Sequence, residues 1–183
     1  MLFCPHLFYH CRDLTDSLGL QPTKTKLSDC LIERFLNIKD TIQPFKIKTK
    51  SGEVRVFDVI PSDSGLDKFR LDDQHIMVQK GPARLKDLLD TLKGNYDYIL
   101  IDAPTNWTFF SQSCVYASDV VLMPTKHTNF ASLKNARKVI LEFIPEIQEV
   151  RNKKGEYGPI PLPIFFNEAK FVCLVGIKTT SEA

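Results

Sequence analysis

The residue best placed to do chemistry in this sequence is Asp102. It closes the apolar run Tyr98-Ile99-Leu100-Ile101 within the stretch Tyr96 to Pro104. A short, nearly continuous apolar run of this kind reads as a strand buried on both faces of a parallel sheet. In open α/β sheets ligands bind outside the carboxyl ends of the strands, so Asp102 is expected in a binding crevice. A carboxylate there can hold Mg²⁺ through water, or orient the water that attacks a phosphate. The competing reading is an Asp that caps the next helix and needs no ligand.

Other reactive residue types are less telling. Cys4, His6, His10 and Cys11 form a compact group able in principle to bind zinc. Their spacing matches no common zinc finger, and the surroundings are apolar, so an adventitious leader is the plainer reading. His75 lies in a polar segment and reads as a surface residue. His127 follows Pro124-Thr125-Lys126 at a strand end and could line the crevice. No G-x-S-x-G elbow and no Ser/His/Asp or Cys/His arrangement emerges. Five cysteines at irregular spacing, without a CxxC pair, fit free thiols in a reducing compartment.

The elements that must position Asp102 follow from periodicity. Residues 25–38 space their apolar positions as a helix. Residues 45–60 alternate, break at Ser51-Gly52 and alternate again, which predicts two strands and a tight turn. Pro61 ends the second strand, and Ser62-Asp63-Ser64 can cap the next element. Residues 81–94 make an amphipathic helix with Pro82 in its first turn, a stripe of Leu85, Leu88, Leu89 and Leu92, and Gly94 as its stop. Tyr96–Ile101 is the buried strand and 102–106 its loop. A helix over 107–118, a strand over Asp119–Met123 closed by Pro124, and a helix over 129–144 come next. Residues 152–158 form a polar loop. Ile160–Phe166 is a further strand, made an edge or irregular by Pro161 and Pro163. Strand, helix, strand, helix, strand at this spacing predicts a parallel sheet covered by helices.

Bulk properties agree with one ordinary domain. The 183 residues are 43% hydrophobic and 25% charged, which excludes disorder and fibrous structure. A net charge of +2 predicts no strong whole-chain field for nucleic acid. Local basic runs exist at Lys46, Lys48 and Lys50 and at Arg151, Lys153 and Lys154; such runs are solvated faces or polyanion contacts. The apolar start MLFCPHLFYHC lacks a basic leading region and a cleavage site, so no signal peptide is read. No apolar stretch approaches the roughly 20 residues needed to span a bilayer.

The block from Tyr96 to Ile140 closely resembles the switch II region of ParA/MinD-type partition ATPases. Its strand ends in Asp102-Ala103-Pro104, where the family has Asp-x-Pro. Ala117-Ser118-Asp119-Val120-Val121-Leu122-Met123-Pro124 matches the next strand, and Ser132-Leu133 the Ser-Leu helix entry. Upstream, Val59-Ile60-Pro61-Ser62 looks like the strand ending in Ile-Pro-Ser. Downstream, Pro163 to Asn167 looks like the strand whose last polar residue contacts adenine, a task that suits an amide. The resemblance covers roughly residues 13–170. It implies a P-loop NTPase-like α/β fold, mainly a parallel sheet flanked by helices, incomplete at the N-terminus. It implies one nucleotide-binding AAA domain over 1–183, with ATP or ADP and Mg²⁺ as cofactors. Asp102 would carry the catalytic and Mg²⁺-water role, and Asn167 and Pro104 would contact nucleotide. A homodimer, a ParB-like partner, non-specific DNA, no membrane association and a bacterial, nucleoid-associated cytoplasmic setting are further implications. In the family, ATP-dependent dimerisation and DNA binding drive plasmid or chromosome partitioning. Trp107, Phe109 and Phe110 fall near the dimer face, although ordinary core packing is the plainer reading of these aromatics.

The sequence departs from the family at its start. The motif K-G-G-x-G-K-[ST] does not occur; Lys80-Gly81, Lys93-Gly94 and Lys154-Gly155 are isolated pairs. Leu14-Thr15-Asp16-Ser17-Leu18-Gly19-Leu20 matches the end of switch I, but Tyr9-His10-Cys11 stand where Asp-Pro-Gln is expected. The first strand is thus missing or replaced by residues 1–9, and 171–183 do not read as the family's closing helices. Phosphoryl transfer of this type rests on positioning and electrostatics. The expectation is therefore a truncated ParA-like ATPase that binds nucleotide weakly or not at all and is not hydrolytically competent. The alternative is a non-catalytic protein that binds a full-length ParA-type ATPase or its partner.

Overall fold

The computed structural model describes residues 2–3, 13–68, 81–104, 107–126 and 130–167. The group Cys4, His6, His10 and Cys11, together with Tyr9, His75, His127 and 171–183, lies outside the described residues. Among the described residues strands pair in four places. Three are parallel: β1 (Leu2–Phe3) with β4 (Asp102–Ala103), β5 (Val120–Val121) with β7 (Ile160–Pro161), and β6 (Pro124–Lys126) with β8 (Phe165–Asn167). The fourth is the antiparallel hairpin of β2 (Gln43–Lys48) and β3 (Val54–Val59). Helices α1 (Asp13–Ser17), α2 (Leu27–Ile32), α3 (Ala83–Asp90), α4 (Phe109–Ala117), α5 (Phe130–Lys138) and α6 (Ile144–Asn152) complete an α/β fold. The expected α/β class with mainly parallel pairing is what forms, the described strands pairing two by two.

The core gathers along the helices, among them the one predicted to be amphipathic over 81–94. Leu85 and Leu88 of α3 and Leu92 just beyond it are buried, as are Cys114, Val115 and Tyr116 of α4 and Ile144 and Ile147 of α6. Thr108 caps α4: Ser111 N–H donates to Thr108 Oγ1, and Thr108 N–H donates to Ser111 Oγ at 2.7 Å. That is a capping-box arrangement, with Ser in place of the usual acidic third residue. Phe109 and Phe110 are buried within the core, so the packing reading of these aromatics holds.

Several expected boundaries are corrected. The helix predicted over 25–38 ends at Ile32, and Phe35 is 97% exposed. Arg84 of α3 explains the stop: its Nη2 donates to Cys30 O at 2.9 Å and Glu33 O at 3.0 Å. A side chain far along the chain thus satisfies carbonyls that another helical turn would have used. A 3₁₀ turn follows at Ile38–Thr41, its first residues capped by Asn37 Oδ1, which accepts from Lys39 N–H. The helix predicted over 129–144 runs on to Asn152, through a π-helical turn at Val139–Phe143.

Pro124 does not close its strand but opens β6. Between the two parallel pairings, Leu122 and Met123 face three residues, Leu162, Pro163 and Ile164. The extra residue is a bulge, and Pro163 is its cause because a proline cannot donate to the ladder. The irregularity expected from the prolines is therefore real and takes the form of a one-residue shift in register.

The largest correction concerns Tyr96–Ile101. Apart from an isolated bridge between Tyr96 and Lys93, the run forms no strand among the described residues, with Tyr98 87% and Leu100 69% exposed. Burial of both faces needs neighbours on both edges. The one described partner, β1, reaches only Asp102 and Ala103.

Candidate functional site

Asp102 opens β4, side by side with Leu2 in parallel register. It is exposed, whereas Ala103 is buried, as alternation along a strand requires. Pro104 follows, half-buried, and the chain reaches the Thr108 cap of α4 within four further residues. The cap of α4 is filled by Thr108, so the reading of Asp102 as that helix's N-cap is set aside. Asn167 is the last residue of β8, in register with Lys126 at the end of β6. Asn167 stands at the carboxyl end of its parallel strand, the edge at which such sheets take ligands, whereas Asp102 begins the two-residue strand β4 and does not end the strand expected before it. Thr105 and Asn106 lie outside the described residues.

The region that matches the end of switch I is tied to the Ile-Pro-Ser strand end. Ser62 N–H donates to Thr15 Oγ1 at 2.9 Å, and the two hydroxyls lie 3.1 Å apart. One residue on, the buried Asp63 carboxylate accepts from Ser28 N–H at 3.0 Å, Ser28 Oγ at 2.6 Å and Gly65 N–H at 2.8 Å. The expected capping role of Ser62-Asp63-Ser64 falls to Asp63, which starts the 3₁₀ turn Ser64–Lys68. Gly65 is required there, because a Cβ would meet Asp63 Oδ1 at 2.7 Å.

Arg151, read in the sequence as part of a solvated basic run with Lys153 and Lys154, is corrected by the structure. It is buried on the apolar stripe that Ile144 and Ile147 begin. Its Nη1 donates to Tyr116 O at 3.1 Å and Ser118 O at 2.9 Å, closing the end of α4 just before β5. Its Nε lies 3.5 Å from Glu156 Oε2, within ion-pair range but without hydrogen-bond geometry. The signal was present: a lone arginine at helical spacing on an apolar face must find acceptors when buried. Trp107 was likewise underread. Its ring stacks on Phe143 at 3.9 Å and 6°, and Lys138 Nζ sits 5.0 Å from the Phe143 centroid. The stack joins the segment that follows Pro104 to the π-helical turn.

The fit of nucleotide and Mg²⁺ can be judged on the residues themselves. Asp102 supplies the hard oxygen donor that Mg²⁺ prefers. One residue before the end of β6, Thr125 Oγ1 is buried without a hydrogen-bond partner among the described residues. A polar atom so placed, beside the strand that ends in Asn167, fits a site completed by a polar ligand. Among the described residues no cluster of three or more His, Cys, Asp or Glu is arranged to hold a metal on its own. No helix among them is long and apolar enough to cross a membrane.

Parallel pairings, crossover helices and an acidic residue at a strand terminus define a P-loop NTPase-like α/β protein. Solved structures with this fold include cobyrinic acid a,c-diamide synthase from Mycobacterium smegmatis with bound ATP analogue and magnesium (TM-score 0.59, 18% identity, 84% of this chain and 57% of that one). The Cyanothece McdA–ATP complex aligns with TM-score 0.57 and 25% identity over 90% of this chain and 57% of its own. The AAA domain profile AAA_31 matches residues 12–156, and the chain belongs to this family, the ParA/MinD-type ATPases. Relatives include a ParA family protein of Chlamydia pneumoniae, 25% identical over 61% of this chain and 41% of that protein. The sporulation initiation inhibitor protein Soj of Bacillus subtilis is 29% identical over 64% of this chain and 43% of its own. The chain thus spans about two-fifths of the length of these relatives.

Proposed function

We propose that this chain is the switch and adenine-side region of a ParA-like partition ATPase, a single nucleotide-binding unit over 1–183. The observation that carries the reading is Asp102, exposed at a parallel strand that leads into the capped helix α4. Magnesium, when bound, would neutralise phosphate charge there. Asp102 holds the metal's water shell, Pro104 shapes the turn beside the nucleotide, and Asn167 donates to and accepts from the adenine edge. Thr125 offers its buried hydroxyl to the same ligand. The sequence contains no K-G-G-x-G-K-[ST] motif to cradle the phosphates, so the chain alone binds ATP or ADP weakly and does not turn it over. In its full context it works as a homodimer with a ParB-like partner and non-specific DNA, in the cytoplasm at the nucleoid, to segregate plasmid or chromosome.

The test is titration of a fluorescent ATP analogue with and without Mg²⁺, on the wild type and Asp102→Ala. Magnesium-dependent binding that Asp102→Ala removes is the expected result. Binding indifferent to that substitution, or steady hydrolysis by the chain alone, contradicts the reading.

The exposed run Tyr98-Ile99-Leu100 favours a second reading, a non-catalytic protein that docks on a full-length ATPase or its partner. Absence of nucleotide binding, together with a stoichiometric complex with a purified ParA-type ATPase, would select it.

A further inference from the structure

The stretch Pro159-Ile160-Pro161-Leu162-Pro163 spaces its prolines by two, which is the period of a strand. Ile160 N–H donates to Asp119 O at 2.9 Å and Leu162 N–H to Val121 O at 3.0 Å, so both face β5. In a trans peptide the carbonyl points opposite to the N–H that follows it. Pro159 O and Pro161 O therefore point to the outer edge of β7. Every backbone N–H from position 159 to 163 is thereby accounted for: two serve β5, and the three prolines have none. Gln148 of α6 covers the start of that edge, its Nε2 donating to Pro159 O at 2.8 Å. The side chains along the strand are apolar and open. Ile160 is 60% exposed, and Leu162, Phe165 and Phe166 are exposed as well. An apolar edge of this kind is a template on which another chain can add a strand.

We infer that the outer edge of β7 is closed to strand addition, and that its alternate prolines keep a second copy of this chain from pairing there. A strand brought to that edge would meet carbonyls and not one donor from Pro159 to Pro163. Its own carbonyls would stay without partners wherever the contact excludes water. The ladder to β5 loses nothing, because it uses the two residues between the prolines. The same prolines one residue out of step would remove the donors to β5 instead and leave the outer edge free to pair. The spacing thus keeps β7 bonded on its inner side and unable to donate on its outer side, while the exposed apolar side chains stay in place. Nothing in this device depends on nucleotide.

The experiment is size-exclusion chromatography with light scattering on the full chain, without nucleotide, over a wide range of protein concentration. Wild type is compared with Pro161→Thr/Pro163→Thr, which restores both donors with residues that favour strands. The same double variant carrying Ile160→Lys places a charge on the exposed edge, a substitution that blocks edge pairing. The double variant is expected to reach at least twice the wild-type mass as concentration rises. The added lysine is expected to return it to the wild-type mass, which it would not do for a misfolded aggregate. Should the double variant fail to fold, Pro161→Thr alone carries the test. The N–H introduced at position 161 is then expected to exchange its hydrogen slowly only in the associated fraction. Three results overturn the inference: wild-type mass for both proline variants at every concentration, association that Ile160→Lys leaves unchanged, or a wild type that already associates through an interface that Ile160→Lys breaks.

Discussion

The Asp63 carboxylate holds Ser28 by two hydrogen bonds at once, from its backbone N–H and from its hydroxyl. The two residues are 35 positions apart, and the contact joins α2 to the end of β3, next to the Thr15–Ser62 pair. A buried carboxylate with three donors is stable only as a set.

Asp63→Ala is therefore expected to leave Ser28 N–H, Ser28 Oγ and Gly65 N–H without their acceptor, at a cost of about 3 kcal/mol. Gly65→Ala should destabilise through the same cluster, since its Cβ would press on Asp63 Oδ1. Urea unfolding followed by far-ultraviolet circular dichroism measures both. A stability within error of wild type for Asp63→Ala would show that the cluster is dispensable.

Arg151→Met keeps the apolar stem but abandons Tyr116 O and Ser118 O in the core. The expected loss is about 2–3 kcal/mol, since truncating one side of a buried polar contact strands the other. Arg151→Lys should recover only part, because one ammonium can replace Nη1 at the two carbonyls but leaves Glu156 without the Nε that faces it. Thermal melts of the three proteins rank them.

Trp107 is the single tryptophan of the chain, so its emission reports on one place. Phe143→Ala removes the ring stacked at 3.9 Å. Emission should shift to the red as the indole meets water, with a stability loss of about 2 kcal/mol from lost burial and stacking. An unchanged spectrum would mean that the stack does not persist in solution.

Burial opposes ionisation of Asp90, but hydrogen bonds from Lys86 and Lys93 outweigh it and hold the carboxyl below its ordinary 3.8. A carboxyl depressed on folding stabilises the protein above its unfolded pKa and loses that contribution as pH falls through the folded value. The hydrogen bond to Asp90 in turn raises Lys86 above its ordinary 10.5, against the opposing effect of burial. That contribution is complete below 10.5 and fades as pH rises through the folded value. Asp90→Asn should therefore melt earlier than wild type across the neutral range, with the gap closing at both extremes of pH. The pair is partly exposed, so the gap is below about 1 kcal/mol. Melting temperatures across pH test it.

Much of this architecture was legible. The stripe Leu85, Leu88 and Leu92 announced α3, and alternation broken at Ser51-Gly52 announced the hairpin, whose turn has Gly52 at φ +85°. The Asp-x-Pro and Ala-x-Asp patterns led to the family that the AAA domain match shows. The reading failed where long-range partners decide. Nothing near Ile32 in sequence signals that Arg84 will take the carbonyls of Cys30 and Glu33. The apolar content of Tyr98-Ile99-Leu100 foretold burial, yet content cannot say whether neighbouring strands extend far enough to provide it.

The sequence by itself determined which segments are amphipathic, where chain direction must change and which carboxylate ends the central apolar run. Those properties are local, written in periods of 3.6 and 2 and in the backbone limits of Gly and Pro. Tertiary structure alone decided the Asp63–Ser28 and Arg151–Ser118 links, the bulge that shifts β8 by one residue against β6, and the exposure of the run before Asp102. Each depends on which distant groups meet, and a hydrogen bond or a buried face exists only when both sides arrive.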